Sequence, residues 1–332
     1  MRVALTYNLR RDSSEAHAEF DSPETIEAIA GHVAALGHAV IPIDVTGSIP
    51  RLVTRLERAR PDLVLNLAEG ERGVFREAFY PALFEQLGYP HTGSPASVLA
   101  LCLDKTLAKR VVAAARVRVP AGELVRDARA APVVPLPAIV KPNFEGSSKG
   151  ITAASVVTSY AELCARVAEL CARYPAGVLI ETYVPGVDVA MAWVEGLGVL
   201  PPIAYRYASD GPFAVYDFAK KTSAHASVDI EIPARFEPEL VRKLDIAAER
   251  TFAALGVRGY GRADYRVTPD GEVVFLDMNP LPSLSPRDND LYGASALRGT
   301  TASGLFERIL SCAEDSPPER GSGRRTAGAS RH

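Results

Sequence analysis

The stretch GYGRADYRVTPDGEVVFLDMN, Gly259 to Asn279, decides how the chain is read. Two β-rich runs, GYGRADYRV and EVVFLDMN, flank the turn Thr268-Pro269-Asp270-Gly271 and spell an antiparallel hairpin. In such a pair, residues directly opposite share a face, and so do residues two apart on one strand. If Val267 pairs with Glu272, Asp264 lies opposite Phe275 and Arg262 opposite Asp277; a tighter turn pairs Asp264 with Asp277 directly. Either register gathers Arg262, Asp264, Asp277 and Asn279 on one face. Two carboxylates, an amide and a guanidinium make a poor core, and the carboxylates repel unless a cation joins them. Mg²⁺ takes oxygen ligands and commonly bridges one or two carboxylates to substrate phosphates. A solvent-facing charged sheet surface is the plain alternative.

Working outward, the first third alternates apolar runs (RVALTYNL, HAVIPIDV, DLVLNLA) with amphipathic helical segments (SPETIEAIAGHVAALG, RLVTRLERA), a β-α-β-α-β pattern that implies a wound parallel sheet. Asp21 or Ser22 caps the first helix, Pro23 suits its first turn and Gly37 stops it. Helices are expected over about 76–87, within 95–115, over 160–174, over 237–255 and near 301–313. AIVKP, the loop NFEGSSKG and ITAASVV read as a hairpin, VLIETYV as a strand interrupted at Pro185-Gly186, and DVAMAWVEG and VLPPIAYRY as further strands. The boundaries fall at 1–94 for an N-terminal α/β domain, 95–184 for a central lobe, 185–313 for a C-terminal lobe carrying the acidic hairpin, and 314–332 for a disordered tail rich in Pro, Gly, Ser and Arg. The polar stretch 209–227 has no period of either kind and reads as a long functional surface loop.

Composition narrows the function. Of 332 residues 47% are hydrophobic, and 37 basic side chains nearly balance 40 acidic ones, giving a formal charge of -3. This is the balance of a soluble globular enzyme, with no long-range pull toward nucleic acid or anionic membrane. No run approaches the ~20 apolar residues of a membrane span, and the start is too short in apolar residues for a signal peptide, so a cytoplasmic location is expected. The four cysteines form no Cys-x-x-Cys pair and read as buried thiols, and the six histidines show no metal-ligand spacing.

Two further features point to phosphate. EGSSKG, Glu145 to Gly150, offers small residues whose backbone N–H groups can approach an anion and two hydroxyls that add hydrogen bonds, although a Gly-Ser hairpin turn would look the same. Neither a Walker A nor a dinucleotide-binding glycine fingerprint is present. Lysines are scarce, which makes their positions informative: Lys141 ends the strand AIV beside the glycine loop, and Lys220 and Lys221 sit in the 209–227 loop.

Together, LGYPHTGSPASVLALCLDKTLAKR (Leu87 to Arg110), IVKPNFEGSSKGI (Ile139 to Ile151), VLIETYVPGVDVAM (Val178 to Met191), YDFAKK (Tyr216 to Lys221) and Gly256 to Pro286 resemble, in order and spacing, the D-alanine:D-alanine ligase group of ATP-grasp enzymes. The resemblance runs from residue 1 to about 312. It implies an ATP-grasp fold of mixed α/β and α+β class, a wound parallel-sheet domain followed by two α+β lobes enclosing ATP. It implies that Lys105 and Lys141 bind the α and β phosphates and that Glu145, Gly146, Ser147 and Ser148 form the loop over the triphosphate, with Ser148 counted among the catalytic groups. Glu181, Thr182, Tyr183 and Val184 would hold adenine and Asp188 the ribose. Asp264, Asp277 and Asn279 would hold two Mg²⁺ ions, with Mn²⁺ as a substitute. Arg262 would stabilise charge at the reacting carbonyl, and Lys220 would meet the γ-phosphate. The implied reaction is attack of a carboxylate on the γ-phosphate, giving an acyl phosphate and ADP, then attack of an amine to form an amide. Amino-acid or amine substrates are the expected partners, with a homodimer as the expected assembly.

The departures concern substrates. The group's Glu-Arg-Glu-Val-Ser run, whose first Glu receives the donor's ammonium, is replaced by SSEAHAEFDSPET, leaving Glu15 and Glu19 as stand-ins; Glu69-Gly70 replaces a His-Gly turn, and Lys221 replaces tyrosine. Ser283, Arg287 and Asp288 fall where the acceptor is bound, and Asp288-Asn289 stands in place of a Ser-Leu pair that would hold the acceptor's carboxylate. Two like charges ~4 Å apart at an effective dielectric of ~20 repel by about 4 kcal/mol. On that ground the chain is expected to be a poor D-alanine:D-alanine ligase. An ATP-grasp kinase or carboxylase-like enzyme and a non-catalytic ATP-binding protein are the competing readings.

Overall fold

The computed structural model describes residues 1–129, 133–207, 213, 215, 228–285 and 289–314. The N-terminal part is the wound α/β unit the alternation anticipates. Strand β1 (Arg2–Tyr7), helix α1 (Pro23–Ala35), β2 (Ala39–Asp44), α2 (Ile49–Ala59) and β3 (Leu63–Leu67) build a parallel sheet of order β2-β1-β3. Ser22 caps α1 by accepting from the Thr25 N–H at 3.3 Å. The strands end together, so Asn8 and the turn after β3 lie side by side and the Gly70 N–H donates to Asn8 Oδ1 at 2.9 Å. Helix α3 (Arg76–Leu87) follows, stopped at Gly88.

The helices anticipated within 95–115 are two, α4 (Ala96–Leu103) and α5 (Lys105–Ala114). The break lies at Asp104, whose carboxylate turns back to accept from the Leu107 N–H at 3.1 Å and starts a new helix. A four-stranded antiparallel sheet of order β4-β7-β5-β6 comes next, from β4 (Gly122–Val125), β5 (Ala138–Pro142), β6 (Val156–Val157) and, after helix α6 (Tyr160–Arg173), β7 (Val178–Thr182). Strand β6 is shorter than ITAASVV suggests, because Ala153–Ser155 forms a tight 3-10 turn closed by reciprocal bonds between Thr152 and Ser155. Leu163, Val167 and Leu170 of α6 bury against Val140 and Ile180 of this sheet.

The largest sheet has the order β11-β10-β8-β12-β13, with a short strand β9 beside β8: β8 (Val187–Val194), β9 (Gly198–Val199), β10 (Ile203–Tyr207), β11 (Val228–Glu231), β12 (Tyr260–Val267) and β13 (Val273–Asn279). Helix α7 (Pro238–Leu255) lies between β11 and β12, and α8 (Asn289–Ala296) and α9 (Ala302–Glu314) close the described chain. One core joins α4, α5 and α7 to this sheet through Val98, Cys102, Val112, Phe252, Tyr265 and Phe275. A second joins it to the N-terminal sheet through Val3, Leu5, Ala192, Tyr260 and Phe306. Shared burial of this kind packs the N-terminal sheet against the large sheet. All four cysteines are free thiols, and among the described residues no helix is long and apolar enough to cross a membrane.

The interruption at Pro185-Gly186 is a backbone crossing. Gly186 has φ +142°, and a Cβ there would stand 2.1 Å from the carbonyl oxygen of Val267 at the end of β12. Neither atom is on a flexible side chain, so the clash cannot relax locally. Gly186→Ala is expected to destabilise the protein by at least about 2 kcal/mol, read as a lower urea midpoint at unchanged slope.

Candidate active site

The hairpin register is the tighter of the two anticipated where it matters. Arg262 pairs with Asn279 and Asp264 with Asp277, and then a β-bulge at Leu276 shifts the pairing so that Tyr265 meets Phe275 and Val267 meets Val273. Arg262, Asp264, Asp277 and Asn279 therefore share one face. The carboxylates are compensated separately. Arg262 grips Asp264 through Nε and Nη2 at 2.8 and 2.9 Å, and Lys105 Nζ donates to Asp277 Oδ2 at 2.7 Å. Burial pushes Asp264 above the usual carboxylate range despite Arg262. Burial acts the same way on Asp277, but Lys105, followed by Lys141 and Lys109, outweighs it and holds that carboxyl below its ordinary value. Asn279 Oδ1 accepts from the Leu281 N–H at 2.9 Å, which fixes its amide. These are hard oxygen donors suited to Mg²⁺. Among the described residues no three acidic, histidine or cysteine side chains could hold a metal by themselves, so a cation here must complete its shell with other oxygens, as Mg²⁺ does with phosphate and water.

Lys105 starts α5 and Lys141 ends β5, and Asn143 ties the two elements together. It accepts from Thr106 Oγ1 at 2.7 Å and donates to Asp104 at 2.8 Å. Both lysines are only 7% exposed, and Lys141 Nζ lies 2.5 Å from Glu181 Oε1. Lys109, which the sequence reading does not place in the site, adds a second cation 3.3 Å from the other Glu181 oxygen and donates to the Leu276 carbonyl exposed by the bulge. Burial lowers Lys109 to about 8, against the pull of Glu181. Glu181, expected on adenine, is thus the buried counter-ion of two lysines. In the hinge, the Thr182 and Tyr183 N–H groups go to the Ala121 and Pro137 carbonyls at 2.8 and 2.9 Å, while Thr182 Oγ1 is buried without a hydrogen-bond partner among the described residues. An orphaned hydroxyl beside Val184 fits a polar ring edge such as adenine's. Asp188, expected on the ribose, lies 2.7 Å from Arg266 Nε and accepts from the Tyr207 hydroxyl.

The glycine loop is built to present its backbone, with Ser147 and Ser148 at φ +48° and +58°. It is also clamped by the first loop, through Glu15 and Glu19, the two acids the sequence offers as stand-ins beside a substrate. Glu15 accepts from the Gly150 N–H at 2.6 Å and pairs with Arg173, while Glu19 takes Lys149 Nζ at 2.5 Å and lies 3.4 Å from Arg76. Gly146 permits this approach, since a Cβ there would lie 2.3 Å from Glu19 Oε1. Arg76 also reaches Glu145 at 3.3 Å and donates to the Phe144 carbonyl at 2.7 Å. Glu19 is drawn in by Lys149 of the loop and Arg76 at the start of α3, and Glu15 by Arg173 at the end of α6 and the Gly150 N–H. Beneath it Glu69 and Glu77 are raised above the carboxylate range, in both cases mainly by burial and then by neighbouring acids. Ser283 is exposed and accepts from the Ser285 N–H at 3.1 Å. Lys220, Lys221, Arg287 and Asp288 lie outside the described residues, as does the 209–227 loop apart from Phe213, which meets Tyr183 edge-on at 5.1 Å, and Val215.

The family described as the D-ala D-ala ligase C-terminus matches residues 121–310, more than half of the chain. The chain belongs to the D-alanine–D-alanine ligase family. The D-alanine–D-alanine ligase of Anaeromyxobacter sp. is 31% identical over 315 residues, covering 93% of this chain and 96% of that protein. That of Geotalea uraniireducens is 33% identical over 286 residues, 84% of this chain and 86% of the relative. The solved Bacillus anthracis ligase complexed with ATP superposes with TM-score 0.77 at 20% identity, covering 95% of this chain and 98% of its own. The Enterococcus faecalis VanG D-Ala:D-Ser ligase does so with TM-score 0.72 at 21% identity, covering 94% and 99%. At those identities the structures establish the ATP-grasp fold. Membership of the family makes this an ATP-dependent carboxylate–amine ligase acting on small molecules and forming a C–N bond.

Arg76, Glu77 and Lys109 are members of this site that the sequence reading left out. Lys109 follows Lys105 by one helical turn, a signal present in the sequence; nothing local marks Glu77 as buried. Burial raises Glu77 to about 7, with Glu19 and Asp277 acting the same way and Arg76 and Lys105 opposing. Its unfolded value is near 4.5, so between pH 4.5 and about 7 the native state keeps a proton that the unfolded state has lost. Stability from this group is full below that window and falls as pH rises through it. Glu77→Gln is expected to remove that part of the slope, seen as a smaller loss of unfolding free energy between about pH 5 and about pH 8 than in the wild type.

Proposed function

We propose that the enzyme joins two small amino acids, with D-alanine accepted as donor and acceptor, through an acyl phosphate at the β12–β13 face. The single observation that carries the chemistry is the Asp264–Asp277 pair with Asn279 on the same face and Lys105 and Lys141 beside it. The support for D-alanine is the name of relatives that match more than four fifths of the chain. That support outweighs the expectation of a poor D-alanine:D-alanine ligase, whose ground, Asp288, lies outside the described residues.

In this reading Asp264, Asp277 and Asn279 hold Mg²⁺, with Mn²⁺ as substitute, and the metal supplies neutralisation of charge on the transferring phosphoryl group. Lys105 and Lys141 bind phosphate oxygens, and each has an acidic partner to exchange for them. Ser147 and Ser148 turn backbone N–H groups and hydroxyls toward the triphosphate, while Thr182 and Val184 take the adenine edge and Asp188 the ribose. The donor carboxylate attacks the γ-phosphorus and ADP leaves. The acceptor's neutral amine then attacks the acyl carbon, its proton is lost, and inorganic phosphate departs as the amide forms. Arg262 stabilises the oxyanion in that second step, and the clamped glycine loop keeps water from the acyl phosphate. Lys220 is assigned to the γ-phosphate, and Glu69, Lys221, Ser283 and Arg287 to the substrates.

A second reading, an uncharged or basic acceptor, is favoured by one feature: a carboxylate, Asp290, stands 3.1 Å from Arg262 on α8, just past the acceptor segment. Steady-state kinetics with D-alanine alone, against a panel that includes amino-acid amides and diamines, separates the two. Efficient D-alanyl-D-alanine formation is expected; a strong preference for a carboxylate-free acceptor would overturn the assignment.

Asp277→Asn and Asn279→Ala are each expected to lower turnover by on the order of 100-fold or more while the protein still folds by circular dichroism, with Asp277→Asn also lowering the thermal midpoint because Lys105 loses its carboxylate partner. Near-wild-type rates at saturating Mg²⁺ in either variant would remove the metal assignment.

A further inference from the structure

Arg262 has two acidic partners. Its Nε and Nη2 edge is taken by both oxygens of Asp264, and Nη1 donates to Asp290 Oδ2 at 3.1 Å. Asp290 is itself fixed, since its other oxygen accepts from the hydroxyl of Tyr205 on β10. It also occupies the first turn of α8, where a carboxylate is favoured by the N–H groups of the helix terminus. Sequence reading gives Asp290 no role.

The two partnerships are not equivalent. A carboxylate whose two oxygens are both held by one guanidinium edge has limited capacity left for a cation, and Asp264 is the residue assigned above to Mg²⁺. When a cation takes Asp264, Arg262 must give up at least part of that grip. A half-buried guanidinium left alone would either return to Asp264 and compete with the metal or turn away from the reaction centre. Asp290 supplies the remaining anchor.

We propose that Asp290 is a positioning residue that retains Arg262 at the reaction centre and frees Asp264 for the metal. The proposal rests on the metal reading of Asp264 and is tested by a readout that does not depend on turnover, the affinity of the full-length enzyme for Mn²⁺ in the presence of a non-hydrolysable ATP analogue. Asp290→Asn is expected to weaken Mn²⁺ binding about 3- to 10-fold, because Arg262 then leans on Asp264 alone, and to lower kcat at least about 10-fold with the KM for ATP nearly unchanged. Asp290→Glu is expected to recover part of both. Tyr205→Phe, which loses only the hydroxyl, is expected to give a weaker form of the same pattern and serves if Asp290→Asn does not fold.

The deciding comparison is a cycle with Arg262→Gln. If Asp290 acts through Arg262, removing it in the Arg262→Gln background changes Mn²⁺ affinity by less than about 2-fold. An equal loss in both backgrounds would make Asp290 a direct electrostatic contributor and overturn the positioning role, as would wild-type Mn²⁺ affinity and kcat in Asp290→Asn. Asp264→Asn, measured alongside, isolates the underlying reading: unchanged Mn²⁺ affinity there would refute the metal assignment itself, independently of Asp290.

Discussion

Asp264 and Asp277 sit opposite each other on adjacent strands, and their mutual repulsion is the constraint to which the surrounding structure answers. Each needs its own cation. Arg262 serves Asp264 from two residues back on the same strand, and Lys105 serves Asp277 from the start of α5, which brings a helix from far up the chain against β13. The bulge at Leu276 is part of the same arrangement, because it puts the two aspartates in register and turns a backbone carbonyl toward Lys109. Lys109 in turn makes Glu181 a buried counter-ion, shared with Lys141. A chain of alternating charges thus runs from the acidic hairpin through α5 and β5 to the end of β7.

That chain has the properties of a site waiting for a polyanion. Each lysine is satisfied by a carboxylate, so none is a naked buried charge. Asp264 is likewise bound by an arginine that has a second partner in Asp290.

The first loop is tied to the glycine loop. Glu15 and Glu19 join the N-terminal domain to the glycine loop through Gly150, Lys149 and Arg173. This ties the proposed cover over the phosphates to the N-terminal domain. It also leaves Glu69 and Glu77, whose charge is opposed mainly by burial, as the acidic groups beneath the cover.

Periodicity and turn chemistry by themselves determined much of this protein. The parallel β-α-β-α-β start, the cap at Ser22, the stop at Gly88 and the shared face of Arg262, Asp264, Asp277 and Asn279 follow from spacings of a few residues, where backbone geometry leaves little choice. The motifs likewise specified the ATP-grasp ligase family, because five segments had to agree in order and spacing. Partner choice for the charged side chains was decided only in three dimensions. Nothing local tells Glu181 that it will meet Lys109 and Lys141, Glu19 that it will meet Lys149, or Asp290 that it will meet Arg262, since those partners lie from 28 to 130 residues away and are brought together by burial of unrelated apolar faces. An ion pair is set by distance and dielectric, and both are properties of the packed structure.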